Sequence, residues 1–498
     1  MEDQRMEVFG MEQELQELRV AVATLAEQLR IQNELLATKD ATISAMAEQI
    51  AKLTARIEEL THKKNSGNSS TPPSNDRFDK PAPKSLREKT GRKPGGQPGH
   101  KGKGMKLDRE PDEIIPHIPD KCHGCPKACV CAMKCCETRY EYEAVVQTKL
   151  IAHKVMKCIC PLSGESMKGS FPTNITGTKQ YGPGVAALAT SLFTVGYMSV
   201  DRIQKLLSSL KIPISAGTIQ NIVEGAALFA QESVNSIRQK VTERDVTNFD
   251  ETGIRAAKKL HWLHCACSGP WRYYTVQERR GEEGMDAMGV LPNKEGGVAI
   301  HDFWKSYHKY RNVDHAMCGA HLERELVYAA ETGKQAWAKK LRKLLQLICH
   351  RRNELINDNH SEFSATELQE YLDKYDRIVA RGLKVNPVPE RKPGQRGRQK
   401  KGKIRSLLER FRDFKDDVLR FAKDWRVPFT NNDAERAIRF ARVKEKVSGC
   451  FRTKKGADQF ACVLSFISTA VAHGASSFDA CLSLHNHTAQ MLAQSWGD

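Results

Sequence analysis

Three carboxylates in separate stretches of the sequence have the residue types and positions of a metal-dependent phosphoryl-transfer site. In DVTNFDETGI a short β-rich run ends at Asp250 and Glu251, and a turn-prone Thr-Gly pair follows. Asp302 ends another β-rich run, GGVAIHD, and Glu435 lies in the helical pattern FTNNDAERAIRF. Carboxylates at two strand ends and on one helix are suited to hold a pair of Mg²⁺ ions against a phosphodiester. The three acids are far apart in sequence, so the fold must bring them together.

Two further acids lie beside these positions and leave the assignment open. Glu251 follows Asp250 directly, and Asp433 lies two residues before Glu435. Each has the same carboxylate chemistry and could exchange roles with its neighbour.

The stretch MCGAHLEREL contains groups that could assist the same chemistry. It places Cys318, His321 and Arg324 at the start of a predicted helix. One Cys and one His are too few for a closed zinc site without partners. We therefore interpret His321 and Arg324 as accessory groups near the scissile phosphate, with core packing as the alternative.

Composition favours a polyanionic partner and a reducing compartment. The 498 residues include 78 basic and 60 acidic ones, and nucleic acid is the most economical partner for the resulting net charge of +18. Eight of the 15 cysteines fall between Cys122 and Cys160, which favours metal binding over a dispersed disulfide framework. The N-terminus has no secretory pattern, and the apolar run at 185–200 is too short to span a bilayer, so we expect an intracellular protein.

The order of β-runs after Arg244 predicts an α/β core. The runs DVTNFDET, LHWLHCAC and RYYTVQER are followed by a helix-capable stretch and then by GGVAIHDF. Three neighbouring strands, a connection and a fourth strand match the order of a ribonuclease-H-like core. Such a core places its first acid on strand one and its second at the end of strand four, where Asp250 and Asp302 stand.

The N-terminal stretch predicts self-association. Fifteen positions between Met11 and Leu60, at alternating steps of four and three, include thirteen apolar residues. Such a sustained heptad pattern is typical of a coiled coil. Gln32 and Lys39 interrupt the seam and could fix its register or strand number. We predict a homo-oligomer formed through this segment, the alternative being a lone amphipathic helix packed on its own chain.

Two basic stretches rich in Gly and Pro are predicted to contact DNA. Residues 61–106 have twelve basic and three acidic residues and no apolar period, and residues 391–405 have eight basic residues and no acid. Both are suited to following phosphates, and a solvated linker or loop is the alternative. The side chains predicted to contact DNA are Arg92, Lys93, Lys101, Lys103, Arg396, Arg398, Lys400 and Lys401.

The cysteine cluster predicts a small zinc ribbon. Cys122 and Cys125 form a CxxC knuckle, and Cys158 and Cys160 follow a stretch that alternates like a hairpin. Two knuckles joined by strands bind one structural Zn²⁺. Ser163 stands where a regular second knuckle has a thiolate. The set Cys122, Cys125, Cys158 and Cys160 is therefore one of several that could bind the ion.

Residues 175–240 have apolar positions at helical spacing. A turn, SAGT at 215–218, separates two amphipathic helices and resembles a helix-turn-helix whose second helix enters a major groove. Two core helices leading into the next domain explain the pattern equally well.

The motifs FDETG, HDFWKSY, CGAHLERELV and FTNNDAERAIR occur in this order along the chain. Together they resemble the insertion sequence sixty-six family of bacterial transposases, which belong to the DDE class. The upstream stretches SGNSSTPPSNDRFDKP and GRKPGGQPGHKG are similar to the linker of that family. With the cysteine cluster and the heptad segment, the resemblance covers nearly the whole chain.

The resemblance implies a ribonuclease-H-like core with a helical insertion before Glu435, and Asp250, Asp302 and Glu435 as ligands of two Mg²⁺ ions. It implies an enzyme of the bacterial cytoplasm, associated with the nucleoid, that cleaves DNA at the element ends and joins it to a target. Accessory proteins of the same element are further expected partners. A non-catalytic DNA-binding derivative and a nuclease of the same fold are the alternatives.

The predicted organisation follows the chain from the N-terminus. It comprises a coiled coil at 8–62, a disordered basic linker at 63–110, a zinc-ribbon-like domain at 111–172, a helix-turn-helix-like DNA-binding segment at 173–242, a ribonuclease-H-like domain at 243–480 with a helical insertion at about 331–425, and a tail at 481–498.

Overall fold

A computed structural model describes residues 2–61, 109–117, 120, 135–142, 147–162, 165–333, 335–388 and 401–496. Several residues for which the sequence makes predictions lie outside these ranges, and those predictions are not tested by the structure. They are Cys122, Cys125, Arg92, Lys93, Lys101, Lys103, Arg396, Arg398 and Lys400.

The helices and strands of the described residues are numbered in chain order. They are α1 (Glu2–Thr61), β1 (Lys157–Ile159), β2 (Ser166–Lys168), α2 (Pro183–Thr194), α3 (Val200–Ser209), α4 (Ala216–Glu243), β3 (Val246–Ala256), β4 (Lys259–Ser268), β5 (Trp271–Gln277), α5 (Glu282–Met288), β6 (Val298–His301), β7 (Asp314–Met317), α6 (Gly319–Thr332), α7 (Ala336–Asn357), α8 (Ala365–Val385), α9 (Lys403–Asp413), α10 (Lys415–Val418), α11 (Arg420–Lys423), α12 (Asn432–Ile438), α13 (Phe440–Ser448), α14 (Lys454–Ala472), α15 (Ser477–His485) and α16 (Ala489–Gln494).

The chain divides into two compact units. The first, which we call the sheet unit, contains Met1–Ala82, Ser236–Ile254 and Leu260–Phe440. The second, which we call the helical unit, contains Pro83–Asn235, Arg255–Lys259 and Ala441–Asp498.

A five-stranded mixed sheet of order β5-β4-β3-β6-β7 forms the centre of the sheet unit. Strands β3, β6 and β7 run parallel, whereas β4 and β5 pair antiparallel. The parallel strands need crossover connections, and the antiparallel ones need only short turns. The predicted α/β class is therefore confirmed, with β3 as the central strand.

Strand β3 does not end at the acids, as the sequence had suggested, but continues through Asp250 and Glu251 to Ala256. The residues Thr252 and Gly253, which suggest a turn, are part of the strand. The turn comes later, at Ala257 and Lys258, whose φ angles are 49° and 64°. Two consecutive residues of positive φ form a tight turn whose twist matches that of the two flanking strands of a hairpin. Strand β3 therefore continues up to this turn, after which the chain reverses into β4.

Helices α6 to α9 pack with strands β6 and β7 in one apolar core. Val298 and Ile300 of β6 belong to the same buried cluster as Leu326 of α6, Leu345 of α7 and Phe411 of α9. The hydroxyl of Tyr375 on α8 donates to the carbonyl of Phe411 at 2.7 Å. This core gives β6 and the start of α6 a rigid support, because close-packed side chains resist displacement.

The helical unit has its own core between α2, α3 and α4. Buried Ala189, Ile203, Leu207 and Ile219 belong to one cluster. Ser199 caps α3 by accepting from the backbone N–H of Arg202, as is usual for serine at this position. The two predicted helices are thus present as α3 and α4. The SAGT stretch is not the turn between them, because its Ala216, Gly217 and Thr218 already belong to α4.

The N-terminal stretch predicted as a coiled coil is one helix, α1, of 60 residues. The apolar seam positions whose side chains are described are exposed, for example Leu25 at 58% and Ile50 at 65%. Within the described part of the chain, no helix is both long and apolar enough to cross a membrane.

The second half of the predicted zinc ribbon contains two short antiparallel strands, β1 and β2. Cys158 lies on β1 opposite Met167 of β2, and the N–H of Cys160 donates to the carbonyl of Glu165 at 2.8 Å. Cys158 is exposed.

Gly319, the first residue of α6, lies so close to Phe429 that it has no room for a side chain. Its N–H donates to the carbonyl of Phe429 at 2.8 Å, and a Cβ at this position would lie 2.4 Å from the ring of Phe429.

We expect Gly319→Ala to destabilise the protein by about 1–3 kcal/mol, because the added Cβ would overlap the ring of Phe429, and thermal unfolding of the full chain measures this loss. Gly184→Ala is the control, since a Cβ there meets nothing within 4 Å. Equal stability of the two variants would contradict the expected overlap.

Candidate metal and catalytic site

The parallel register of β3 and β6 brings the first two acids side by side. The last pair of the ladder is Asn248 with Ile300, and Asp250 and Asp302 each lie two residues beyond it. Neighbouring strands are about 4.8 Å apart, so equivalent positions just past a ladder lie close together. The structure therefore places Asp250 and Asp302 as a pair at the end of the β3/β6 ladder.

Burial and mutual repulsion raise the pKa values of both aspartates. The pKa of Asp250 is raised well above its usual 3.8 by burial first, then by the charges of Glu251 and Asp302, with a smaller effect of Glu435. The pKa of Asp302 rises to about 6, again by burial first and then by the charge of Glu251, although Arg280 opposes the rise. The carboxylates therefore lie close enough together to destabilise each other's ionised forms.

Glu435 joins these carboxylates from α12. Oε1 of its carboxylate lies 3.7 Å from Sγ of Cys318, 3.3 Å from Nδ1 of His321 and 3.9 Å from a guanidinium nitrogen of Arg324. Its charge also contributes to the raised pKa values of Asp250 and Asp302. The structure therefore brings all three predicted carboxylates within electrostatic reach of one another.

Three hydrogen bonds to the sheet anchor the helix that carries Glu435. Asn431, just before α12 and 2% exposed, donates from Nδ2 to the carbonyl of Phe249 at 2.7 Å. Oδ1 of Asn431 accepts from Nδ2 of Asn248 at 2.8 Å. The hydroxyl of Tyr274 on β5 donates to the carbonyl of Ala437 at 3.0 Å. These contacts fix α12 against β3 and β5, beside Asp250.

Asn431 is a positioning residue that no sequence pattern indicated. Its place within FTNNDAERAIRF was visible, but its partners lie 182 and 183 residues earlier in the chain. No local spacing predicts contacts of that range.

Both carboxylate oxygens of Glu251 accept hydrogen bonds from other side chains. Its Oε1 accepts from Nε of Arg280 at 2.8 Å, and its Oε2 accepts from the hydroxyl of Tyr307 at 2.7 Å. Its side chain is 1% exposed. Both oxygens are therefore used inside the sheet unit, which makes Glu251 a structural neighbour of the aspartates and a weaker candidate for a metal ligand.

Arg280 is a second residue that sequence reasoning missed. A guanidinium nitrogen lies 3.7 Å from Oδ2 of Asp302, and the guanidinium lies 4.0 Å from the ring centre of Trp304 and 5.2 Å from that of Trp262. The two indoles fix its orientation by cation–π contacts. Arg280 therefore supplies a positioned positive charge to both Glu251 and Asp302.

His321 and Arg324, predicted as accessory groups, both lie beside Glu435 on the first turns of α6. Burial first, and then the charge of Arg324, lower the pKa of His321 to about 3, so its imidazole is neutral at neutral pH. A neutral imidazole can donate or accept one proton, or bind a metal. Asp433, the rival of Glu435, is exposed.

Lys401 is the one predicted DNA-binding residue within the described ranges. Its Nζ lies 2.9 Å from Oε2 of Glu409 on α9, and 38% of its side chain is exposed. It is the first described residue of the 391–405 stretch, of which residues 391–400 lie outside the described residues.

The carboxylate cluster has the donor chemistry of a divalent-cation site. Oδ1 of Asp302 is buried and has no hydrogen-bond partner among the described residues. A cation would satisfy this oxygen and would relieve the repulsion that raises both aspartate pKa values. Asp250, Asp302 and Glu435 therefore fit hard divalent cations such as Mg²⁺, which bind carboxylate oxygens.

Comparison with known protein families gives two matches. The family described as "Transposase IS66 family" matches residues 178–459, which include the whole described sheet and all three carboxylates. A family of unknown function, DUF6444, matches residues 11–106. No curated protein matches the chain.

The raised pKa of Asp302 predicts a pH-dependent effect of its removal. Its pKa of about 6 in the folded protein exceeds its usual 3.8, so between pH 3.8 and about 6 the folded state binds more protons than the unfolded state. The free energy of unfolding therefore falls as the pH rises through this range. In a chelating buffer at pH 7.5, we expect Asp302→Asn to be more stable than the wild type by on the order of 1 kcal/mol.

Thermal unfolding across pH 4.5 to 7.5 measures this difference, which should shrink towards the acid end. Asp433→Asn is the matched control on exposed surface and should show no such trend. A lower stability of Asp302→Asn at pH 7.5 would contradict the proposed repulsion.

Proposed function

This chain belongs to the transposase IS66 family, and we propose that it is a DNA transposase whose catalytic carboxylates are Asp250, Asp302 and Glu435. One observation carries the proposal. Asp250 and Asp302 occupy equivalent positions past the β3/β6 ladder, and a glutamate from a separate helix joins them there. We propose that the enzyme binds the ends of its element, cleaves DNA there and transfers the strand to a target.

We propose a ribonuclease-H-like core for the sheet unit. Three consecutive strands, β3, β4 and β5, lie next to one another on one side of the sheet order, and β6 and β7 extend it on the other side of β3. This is the order expected of such a core, with the first acid on its first strand and the second directly after its fourth. The helices α7 to α11, between α6 and α12, correspond to the proposed insertion.

Asp250, Asp302 and Glu435 would hold two Mg²⁺ ions, which when bound would activate the attacking oxygen and stabilise the leaving one. The protein's own groups position these ligands. Asn431 holds α12 on the sheet, and Arg280 orients Asp302 while neutralising part of the charge at Glu251. We propose that Arg324 approaches the scissile phosphate and that the neutral His321 orients Glu435.

We propose that other segments deliver DNA to this site. The exposed apolar seam of α1 supports a coiled-coil homo-oligomer that holds two element ends together. The basic stretches at 61–106 and 391–405 would follow DNA phosphates, and α4 would act as the second helix of a helix-turn-helix. A Zn²⁺ ion held by cysteines of the 122–160 cluster would stabilise a ribbon.

This activity would place the protein in the bacterial cytoplasm with the nucleoid, and accessory proteins of the same element would assist it. A nuclease of the same fold would share the carboxylates but would not join DNA ends, so strand joining separates the two functions.

Two acids of α12 give a matched test of catalysis. We expect Glu435→Gln to reduce both cleavage and strand transfer of labelled element ends in Mg²⁺ by at least about 100-fold, because it removes a ligand charge while keeping side-chain size. Asp433→Asn, on the exposed side of the same helix, should retain activity, and both variants should bind DNA as the wild type does.

Gel analysis of cleaved and joined products measures the two steps separately. Equal activity of the two variants would overturn the assignment of Glu435. Cleavage without joining in the wild type would instead favour the nuclease.

A further inference from the structure

The thiol of Cys318 and the imidazole of His321 lie against Glu435, and neither is a ligand that Mg²⁺ prefers. Among the described residues, Cys318, His321 and Glu435 are the only three potential ligands whose donor atoms all lie within 4.8 Å of one another. Mg²⁺ prefers oxygen ligands, whereas thiolate and imidazole select softer ions such as Zn²⁺. The cluster therefore has the chemistry of a different metal from the one proposed for catalysis.

The first turn of α6 presents two of these donors from a rigid backbone. Cys318 is the N-cap of α6, and His321 lies three residues later at the third helical position. The backbone N–H of Asn431 points at Sγ of Cys318 at 3.2 Å. Burial first and then the charge of Glu435 raise the pKa of this thiol to about 11, although this N–H and those of His321 and Ala320 oppose the rise. A metal ion would complete the deprotonation and release a proton.

The distances match those of a tetrahedral zinc site. Zinc bonds of about 2.3 Å to sulfur and about 2.0–2.1 Å to nitrogen and oxygen give tetrahedral ligand separations of roughly 3.3–3.6 Å. The structure has 3.3 Å between Nδ1 of His321 and Oε1 of Glu435, and 3.7 Å between Sγ of Cys318 and the same oxygen. Two of the three separations are therefore close to the tetrahedral values, and the third donor pair lies within 4.8 Å.

The hydrogen bonding and the charges of the cluster also fit a cation. Nδ1 of His321 is buried and makes no hydrogen bond to any described residue. A thiolate and a carboxylate together balance the charge of one Zn²⁺ ion. Arg324 and Arg439 lie 3.9 and 3.8 Å from the Glu435 carboxylate and compete with the cation, but Arg439 has a side chain that is 72% exposed and free to turn away.

We propose that Cys318, His321 and Glu435 form a zinc site with one open position, and that Zn²⁺ bound there withdraws Glu435 from the catalytic carboxylates and inhibits the enzyme. The metal site stands on the geometry alone, whereas the inhibition depends on the proposed function. The site is separate from the ribbon cysteines at 122–160.

Metal content tests the site without reference to activity. The full chain, stripped with chelator and then equilibrated with Zn²⁺, is compared with Cys318→Ser and His321→Gln, which keep similar side-chain sizes. Cys349→Ala is the control, because it removes a half-buried thiol of α7. We expect the wild type and the control to bind one zinc ion per chain more than the two site variants. Equal zinc content in all four proteins would overturn the site.

Anomalous diffraction at the zinc edge from wild-type crystals gives a second test that requires no variant to fold. A peak between Sγ of Cys318, Nδ1 of His321 and Oε1 of Glu435 is expected. A zinc-loaded protein whose peaks occur only elsewhere would overturn the site.

Inhibition is tested by titrating Zn²⁺ into the Mg²⁺-dependent DNA cleavage reaction. We expect Cys349→Ala to be inhibited at the same concentration as the wild type, and Cys318→Ser to need at least about 10-fold more Zn²⁺. Equal sensitivity of all three would overturn the inhibitory role. If zinc binds as expected but no protein cleaves DNA in Mg²⁺, the proposed function fails and the metal site remains.

Discussion

Electrostatic repulsion among clustered carboxylates is the constraint on which the sheet unit depends. Asp250, Glu251, Asp302 and Glu435 lie close to one another, and Glu251 accepts a hydrogen bond at each of its oxygens, from Arg280 and from Tyr307. The raised pKa values of Asp250 and Asp302 show the cost of this arrangement. Groups that repel each other stay together only if the surrounding structure holds them, and such strain is typical of functional sites.

The surrounding elements supply that restraint from several directions. The parallel ladder of β3 and β6 fixes the two aspartates at equivalent positions, and the core of α6 to α9 supports β6 from behind. Asn431 joins β3 to the start of α12 through two side-chain hydrogen bonds and receives a third contact through its N–H at Cys318. Since all these elements meet at one place, a divalent cation would find its ligands already assembled.

The sequence predicted the parts of this arrangement that depend on local pattern. Alternating β-runs predicted the strands carrying Asp250 and Asp302, the apolar period of the N-terminus predicted the helix α1, and the α/β class is confirmed. The prediction of a turn after Glu251 was wrong, because the pairing of β3 with β4 outweighs the local turn preference of Thr252 and Gly253. The zinc ribbon and the basic DNA contacts remain predictions.

What the sequence could not show are contacts between distant segments. Asn431, Arg280 and Tyr307 gave no local signal, because their partners lie on other strands. Cys318 and His321 were set aside as a metal pair for want of further ligands, yet Glu435, 117 residues after Cys318, lies beside them. Spacing alone could not reveal that ligand, since only the docking of α12 on the sheet brings it there.

The central claim, that Asp250, Asp302 and Glu435 bind metal together, is tested most directly by metal-directed cleavage of the protein itself. Fe²⁺ substituted for Mg²⁺ generates radicals, in the presence of ascorbate and peroxide, that cut the backbone near the bound ion. The account predicts cuts near residues 250, 302 and 435 within the same molecule, all suppressed by excess Mg²⁺. Cuts confined to other segments, or cuts that Mg²⁺ does not suppress, would contradict it.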